Sequence, residues 1–386
     1  MEPLLPLAFA VAAGTPVILA ALAMPGLARR VPWLSEQPLD SAPSPALTVI
    51  APARDEARHL EAAIRALLAQ DYPDLEVLVV DDRSTDATPW ILARLAAESA
   101  KLRVETVREL PEGWLGKNHA NWLGAQAARG ELLLFTDADV VFEPGALRRA
   151  VCYLRRGGWD HLAIAPRVHL PGAVLGQFTL YFGLLFSLYA RPWAARDPHS
   201  RAHVGIGAFN LVRRDAYFAA GGHRRLALRP DDDMKLGKLL KAHGARQEFL
   251  NGHGALSVEW YGSWRELRDG LMKNLFAGVE YRLAALLAGS LGQLALLAGP
   301  ALAVVGGWGG PIARSIDAAA CVALLALGAA CAPQFGTRRW GGVLLPGFAL
   351  FGTWLMWRSA WLALRRGGIE WRGTFYPLAA LRRNIV

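Results

Sequence analysis

The stretch LTVIAPARDEA (47–57) decides the fold, because a short apolar run rich in β-branched residues ends in a charged strand-to-helix junction. The same pattern returns in LEVLVVDDRSTDAT (75–88) and in ELLLFTDAD (131–139). From Leu47 to about Phe249, such runs alternate with helical patterns. The sequence therefore predicts an α/β domain with a mostly parallel sheet, helices on its faces, and ligands at the carboxyl ends of the strands.

Charged side chains follow the first two predicted strands. Pro52, Arg54 and Glu56 lie at the first junction, where backbone amides at a helix start and the Arg54 guanidinium would face an anion. An ordinary turn with a solvated charged cap is the alternative. Asp81 and Asp82 end the second strand and reach the same edge of the sheet. Because the first junction has no glycine, a dinucleotide site of the GxGxxG type is disfavoured.

A pair of carboxylates follows the third strand. Asp137 and Asp139 alternate along an extended segment, so both point to one side of it. Mg²⁺ or Mn²⁺ held there would bridge diphosphate oxygens, because such cations use one or two carboxylates plus substrate phosphates. Upstream, GWLGKNHANWLGA (113–125) places Lys117 at a predicted helix start. Lys117 would neutralise a diphosphate, or it is a surface lysine.

Another acidic cluster is RPDDDMKLGKLLKAHG (229–244), in which Asp231, Asp232 and Asp233 precede an amphipathic helix. An N-terminal cap that complements the helix dipole is the simplest interpretation. Three adjacent carboxylates exceed what a cap requires, so the cluster is also a candidate catalytic site.

The composition favours a membrane protein. Hydrophobic residues make up 53% and charged residues 19% of the 386 residues, which is too apolar for an ordinary soluble enzyme. The formal net charge is +9, but the arginines crowd the edges of apolar runs, where anionic lipid headgroups lie. We therefore expect a membrane partner and no nucleic acid. The cysteines show no CxxC spacing, so neither a zinc site nor a disulfide framework is indicated.

The chain divides into segments by hydropathy. They are a transmembrane anchor (1–30) whose C-terminal arginines predict a cytoplasmic end, a proline-rich linker (31–46), the α/β domain (47–282), transmembrane segments (283–364) and a basic tail (365–386). Three C-terminal crossings would place the tail arginines outside, against the usual charge bias, so the alternative is that one segment is re-entrant or lies at the membrane surface. Another uncharged stretch, Val168–Ala190, is interpreted as interfacial or buried.

Together these motifs resemble family 2 glycosyltransferases with the GT-A fold, especially a bacterial membrane-associated branch that acts on hopanoid, carotenoid or ceramide-type lipids. The resemblance covers about residues 46–282, and GIEWRGTFYP (368–377) is similar to the end of that branch. It implies that Asp82 contacts the nucleotide base, that Lys117 lies near the nucleotide, and that Asp137 and Asp139 bind the metal. Asp233 would then be the general base, with Asp232 in place of the glutamate of an ED-x-x-L motif.

The resemblance implies an inverting enzyme that moves one sugar from a UDP-sugar to a hydroxyl of a membrane lipid. The QxxRW motif of processive polysaccharide synthases is missing from EWYGSWRELRDGLMKN (259–274), which disfavours polymer synthesis. In that segment Trp260, Tyr261 and Trp264 are candidate acceptor-side aromatics, and packing at a domain–membrane junction is the alternative. A catalytically silent membrane scaffold is the other alternative. We expect a multi-pass protein of the cell inner membrane with a cytoplasmic catalytic domain.

Overall fold

The computed structural model describes residues 4–40 and 44–386 and divides the chain into two compact units. The sheet unit comprises Val31–Val168, Ala190–Glu259 and Ala380–Val386. The helical unit comprises Met1–Arg30, His169–Tyr189 and Trp260–Ala379. Residues 260–282, which the sequence assigns to the α/β domain, therefore group with the helical unit. The reason is local packing, since the Ser359 hydroxyl donates to the Met272 carbonyl within that unit.

The strands are β1 (Leu47–Ala53), β2 (Leu75–Asp82), β3 (Leu102–Val107), β4 (Leu132–Phe135), β5 (Val141–Phe142), β6 (His161–Ala165), β7 (Arg167–His169), β8 (Asn210–Arg213), β9 (Gln247–Asn251), β10 (Leu256–Glu259), β11 (Gly368–Trp371) and β12 (Thr374–Pro377). The helices are α1 (Leu4–Ala28), α2 (Leu60–Leu68), α3 (Thr88–Glu98), α4 (Gly116–Ala127), α5 (Ala146–Gly157), α6 (Phe178–Ala190), α7 (Arg214–Ala219), α8 (Asp232–Ala242), α9 (Trp264–Gly278), α10 (Leu283–Gln293), α11 (Gly299–Val305), α12 (Pro311–Cys331), α13 (Leu345–Arg366) and α14 (Leu378–Arg383).

The main sheet has the strand order β3-β2-β1-β4-β8-β6-β9. Strands β3, β2, β1 and β4 run parallel to one another, whereas β8 runs antiparallel to both β4 and β6. The predicted mostly parallel α/β sheet is confirmed. Because β1, β2 and β4 are adjacent and parallel, their carboxyl ends open at one edge, the usual ligand-binding edge of such sheets.

Alternate residues of the central strands pack on opposite faces of the sheet. Val49 and Val77 belong to the apolar cluster on one face, whereas Ile50 packs with Leu133 and Phe135 on the other. Residues 47–51 of β1 are all buried, so this strand is covered on both sides. This two-sided burial explains why the strand is a nearly continuous apolar run rather than an alternating one.

The predicted linker, 31–46, packs on the sheet unit where it is described, and its residues 41–43 lie outside the described part. Leu34 is fully buried in the core. The Asn251 N–H donates to the Pro32 carbonyl at 2.8 Å, and the Arg149 guanidinium donates to the Gln37 carbonyl at 3.0 Å. Residues 32–37 are therefore part of the folded unit rather than a loose connection.

Four helical stretches of the described chain have the length and apolarity to cross a membrane: Leu4–Ala28, Leu283–Val305, Pro311–Phe335 and Arg339–Arg366. Large apolar side chains on them face outward, among them Leu22 (76% exposed) and Val305 (87% exposed). In the uncharged stretch Val168–Ala190, helix α6 buries Phe178, Tyr181 and Leu184. The helical unit thus combines a packed interior with an apolar exterior, as expected for membrane association.

Candidate active site

The loops that follow β1 and β2 are held together by backbone-to-carboxylate hydrogen bonds. Asp55 Oδ1 accepts from the N–H groups of Thr85 at 2.7 Å and Asp86 at 3.3 Å. In return, Asp86 Oδ2 accepts from the Ala57 N–H at 3.1 Å. Asp55 and Arg83 have left-handed backbones, with φ of 53° and 58°. Such conformations cost energy in residues other than glycine, so the interlocked loops maintain a strained arrangement at the sheet edge.

Asp82 lies beneath the start of α4. Its side chain is almost fully buried and binds the Arg83 guanidinium, with Nε donating to Oδ1 at 2.7 Å. Arg54 Nη1 lies 3.6 Å from Asp82 Oδ2. A Cβ at Gly116 would lie only 2.1 Å from Asp82 Oδ2, so the approach of α4 to this carboxylate requires glycine. Asp82 and two arginines therefore form one end of the candidate site.

The other residues predicted at this edge of the sheet contact the loops or lie within a strand. Asp81 is buried, and its Oδ1 accepts from the Ser84 N–H at 3.3 Å, so its observed contact is within its own loop. The Glu56 N–H donates to Thr88 Oγ1 at 2.9 Å, which ties the β1 loop to α3. Pro52 lies within β1 itself, opposite Val80 of β2.

Three groups from distant parts of the chain converge at Gly207. Lys117 Nζ donates to Asp137 Oδ1 at 2.6 Å. A Cβ at Gly207 would lie 2.9 Å from Asp137 Oδ2, 3.4 Å from Lys117 Nζ and 3.5 Å from Asp233 Oδ2. Burial alone would lower the pKa of Lys117, but Asp137, Asp232 and Asp233 outweigh it and raise that pKa. Lys117 is thus a charged member of the cluster and not a solvated surface lysine.

One carboxylate oxygen of Asp139, Oδ1, is buried without a hydrogen-bond partner among the described residues, 4–40 and 44–386. Burial, and then the charges of Asp137 and Glu56, raise the pKa of Asp139 to about 7. Within the same described ranges, no group of three His, Cys, Asp or Glu side chains forms a ready-made metal cage. Asp137 and Asp139 therefore fit a divalent cation that completes its coordination with substrate oxygens.

Asp233 is held by two backbone N–H groups. Gly207 donates to its Oδ2 at 2.9 Å and Met234 donates to its Oδ1 at 2.7 Å. Burial and then the charge of Asp232 raise the pKa of Asp233 to about 7, although Lys117 acts in the opposite direction. A carboxylate that titrates near neutral pH is suited to remove a proton as a general base.

The two neighbouring aspartates have different partners. Asp232 Oδ2 lies 3.6 Å from His223 Nε2. Burial favours its protonated form, but Lys117 and His223 together lower the pKa of Asp232. Asp231 precedes α8 without capping it, because its side chain instead binds buried Arg229 through Nε at 2.8 Å and Nη2 at 2.9 Å. The capping interpretation therefore fails for Asp231, and each of the three aspartates has partners of its own.

Sequence reasoning missed several residues that shape this site. In GIGAFN (205–210), a Cβ at Gly205 would lie 1.8 Å from the Asp233 carbonyl oxygen, so this loop packs directly on the start of α8. Two glycines before a strand were the available signal. His223 is buried and also contacts the Tyr217 hydroxyl at 2.9 Å through Nδ1, and nothing in its local sequence indicated this.

The aromatic residues predicted on the acceptor side belong to the helical unit. Trp260 stacks on Tyr261, with ring centroids 5.1 Å apart, and meets Phe182 edge-on at 4.8 Å. Trp264 meets Phe351 edge-on at 5.4 Å. These contacts fit the packing alternative, and an acceptor-side role stays a prediction.

Comparison with known proteins shows what the sheet unit is similar to. Residues 48–218 match the family model for glycosyl transferase family 2. These residues therefore resemble a family 2 glycosyltransferase domain. The matched region contains Asp82, Lys117, Asp137 and Gly207, and it ends before Asp231–Asp233.

The individual proteins to which the chain is similar share about a quarter of its residues in the aligned regions. The chain is 25% identical over 235 residues to 4,4'-diaponeurosporenoate glycosyltransferase of Staphylococcus aureus (strain USA300), which covers 60% of this chain and 61% of that protein. It is also similar to a mannosyltransferase from Pyrobaculum calidifontis solved in complex with GDP-Man and Mn²⁺. That likeness has a TM-score of 0.53 at 23% identity and covers 94% of this chain and 98% of the other. It confirms the expected glycosyltransferase fold.

Proposed function

We propose that this protein is a membrane-associated, metal-dependent glycosyltransferase that moves one sugar from a nucleotide-diphosphate sugar to a hydroxyl of a membrane lipid, with inversion. A UDP-sugar is the proposed donor. The observation that carries the proposal is the meeting of Asp137, Lys117 and Asp233 around Gly207 at the carboxyl edge of the sheet. A cation, a diphosphate and an acceptor hydroxyl would each have a suitable partner there.

On the donor side, Asp82 would contact the nucleotide base while Arg54 and Lys117 face the diphosphate. A divalent cation on Asp137 and Asp139 would counter the negative charge that develops on the leaving phosphate. Lys117 supplies a second positive charge at the same place, because its Nζ lies 2.6 Å from Asp137 Oδ1. Fixed charges of this kind need little reorganisation during the reaction.

On the acceptor side, Asp233 would accept the proton of the attacking hydroxyl. The hydroxyl oxygen forms a bond to the anomeric carbon while the bond from that carbon to the diphosphate oxygen breaks on the opposite face. The configuration is therefore inverted. The N–H groups of Gly207 and Met234 hold the carboxylate in place.

A lipid acceptor is supported by the helical unit. Four of its stretches are long and apolar enough to span a membrane, and a relative is named as a 4,4'-diaponeurosporenoate glycosyltransferase. Arg29 and Arg30 follow α1, so a cytoplasmic sheet unit at the inner membrane agrees with the positive-inside bias. Trp260, Tyr261 and Trp264 are proposed to lie on the acceptor side of the membrane surface.

The test is transfer by purified wild type and Asp233→Asn, using a panel of nucleotide sugars and a lipid extract, with products read by mass spectrometry. We expect single-sugar glycolipids from wild type. The turnover of Asp233→Asn should be at least about 10²-fold slower than that of wild type, because an amide does not accept the proton. Its donor affinity should stay near that of wild type. Asp71→Asn is the matched control, since Asp71 is exposed on the same unit.

Each other outcome has a distinct meaning. An active Asp233→Asn beside an inactive Asp232→Asn would move the base by one position. Asp231→Asn is a poor control, because it removes one charge of the ion pair with buried Arg229. Long saccharide products would favour a processive synthase, and absence of both transfer and donor hydrolysis would favour a silent scaffold.

A further inference from the structure

A cavity lies in the helical unit, among α9, the last turns of α13 and the β11–β12 hairpin. Its volume is about 380 Å³. The Ser359 hydroxyl donates to the Met272 carbonyl and joins α13 to α9 at its base. Tyr261 packs closely against α9, because a Cβ at Gly270 would be 2.3 Å from its ring. The cavity is therefore formed by packed elements and not by loose loops.

The charges that line this cavity are mainly positive. Lys273, Arg366 and Arg372 all contribute to the lining, beside the carboxylates of Asp269 and Glu370. The Asp269 carboxylate is neutralised by Arg268, which donates to it through Nε at 2.7 Å and Nη2 at 2.8 Å.

Among the three cations, Arg366 stands apart. Lys273 Nζ lies 4.0 Å from the centroid of the Trp371 ring. The Arg366 side chain forms no hydrogen bond or ion pair within residues 4–40 and 44–386. The cavity thus carries a net positive charge and one guanidinium that is available to a ligand.

The cavity lies at the end of a candidate membrane span, which favours a ligand from the lipid bilayer. Arg366 is the last residue of α13 and of the candidate span Arg339–Arg366, and basic residues at such ends meet lipid headgroups. Apolar side chains line the same cavity, namely Met272, Leu362 and Ile369. A ligand with a charged head and an apolar body matches this combination better than a free ion does.

We propose that this cavity binds the phosphodiester headgroup of an anionic glycerophospholipid. Arg366 contacts the phosphate oxygens, and Lys273 and Arg372 add positive charge. Tyr261 and Trp371 enclose the glycerol region, and the apolar side chains receive the first methylene groups of the acyl chains. Tyr261 is also one of the proposed acceptor-side aromatics. Lipid retention is measured without turnover, so a failure of this site is distinguishable from a failure of the proposed function.

The experiment uses full-length protein in detergent, with phosphatidylglycerol as the probe and native mass spectrometry as the readout. We expect wild type to retain phosphatidylglycerol in preference to phosphatidylcholine. Arg366→Gln should weaken retention about fivefold, the typical effect of one basic residue near an anionic lipid. Arg365→Gln is the matched control, because Arg365 precedes it on the same helix end, lies over Trp361 at 5.1 Å and is outside the lining.

Specific outcomes would overturn the site. Equal loss in both variants would mean general attraction to the surface, and no loss in Arg366→Gln would remove the assigned contact. Retention of phosphatidylcholine equal to that of phosphatidylglycerol would contradict a site for an anionic headgroup. Displacement of the lipid by millimolar inorganic phosphate would identify a free-phosphate site instead. Unchanged circular dichroism of both variants checks that exposed Arg366 is not needed for folding.

Discussion

At Asp233, opposing electrostatic effects set the protonation state of the proposed base. Burial and Asp232 favour the neutral acid, Asp137 adds to them, and Lys117 favours the carboxylate. The resulting pKa of about 7 is far above that of an exposed aspartate. Below that pH the carboxyl group is protonated and has no capacity to accept a proton.

The first prediction is therefore a fall in kcat/KM on the acidic side of pH 7. We expect an apparent pKa near 7 in the profile of wild type, measured between about pH 5.5 and 8.5. Samples held at each pH and returned to pH 8 control for unfolding. An acidic limb near pH 4 would show that the base is an ordinary exposed carboxylate.

Asp139 allows a test of metal binding that does not depend on activity. A cation bound by Asp137 and Asp139 would relieve their repulsion and would give the buried Asp139 Oδ1 a partner. Mn²⁺ should raise the thermal midpoint of wild type, since a ligand at 100 times its Kd adds about 2.7 kcal/mol of stability. Asp139→Ala should fold but lose this response, whereas Asp71→Ala should keep it. An equal Mn²⁺ response in all three proteins would contradict the assignment.

At the scale of elements, the segment before α8 is held from two sides. Asn118 Nδ2 donates to the Arg229 carbonyl at 2.9 Å. From the C-terminal residues, Asn384 Oδ1 accepts from the Leu228 N–H at 2.9 Å and its Nδ2 donates to the Arg225 carbonyl at 3.0 Å. Arg229 in turn binds Asp231, which leads into the aspartates of α8. The tail therefore belongs to the support of the proposed base.

We predict that Asn384→Ala lowers both stability and turnover. Two lost hydrogen bonds correspond to about 2 kcal/mol, at roughly 1 kcal/mol each. Turnover should fall more than donor affinity, because α8 carries Asp233 whereas the donor contacts lie on other elements. Asn384→Asp keeps the acceptor and should be intermediate. Arg383→Ala, a neighbouring exposed residue, is the control; equal behaviour of the two alanine variants in thermal midpoint and kcat would contradict a role for the amide.

At the scale of the molecule, the helical unit predicts tight membrane association. Leu22 and Val305 are exposed on candidate spans, together with Trp361 at 52%, and water would penalise this surface. We expect the full chain to stay in the membrane pellet after an alkaline carbonate wash and to need detergent for extraction. Release of the protein by carbonate, as for a peripheral marker, would show that these helices do not span the bilayer.

Local sequence patterns were sufficient for the α/β class, for three strands of the main sheet (β1, β2 and β4), for the apolar helices and for the motifs at those strand ends. Strand β1 coincides with LTVIAPA (47–53), because burial on both faces demands an unbroken apolar run that is readable in the chain. The carboxyl ends of adjacent parallel strands share an edge, so Asp82 and Asp137 could be placed together without coordinates. Apolar length alone identified the candidate spans.

Only the tertiary structure decided which groups meet. Lys117 pairs with Asp137, the Gly207 N–H reaches Asp233, and Asn384 reaches the segment at Arg225. The partners are separated by 20, 26 and 159 residues, respectively, so no local periodicity links them. The three consecutive aspartates are another example, because they are the same residue type and differ only in the partners of their side chains. Asp231 binds an arginine, Asp232 lies near a histidine, and Asp233 accepts from two backbone N–H groups. Burial and charge then act on each carboxylate through these partners, which local sequence does not specify.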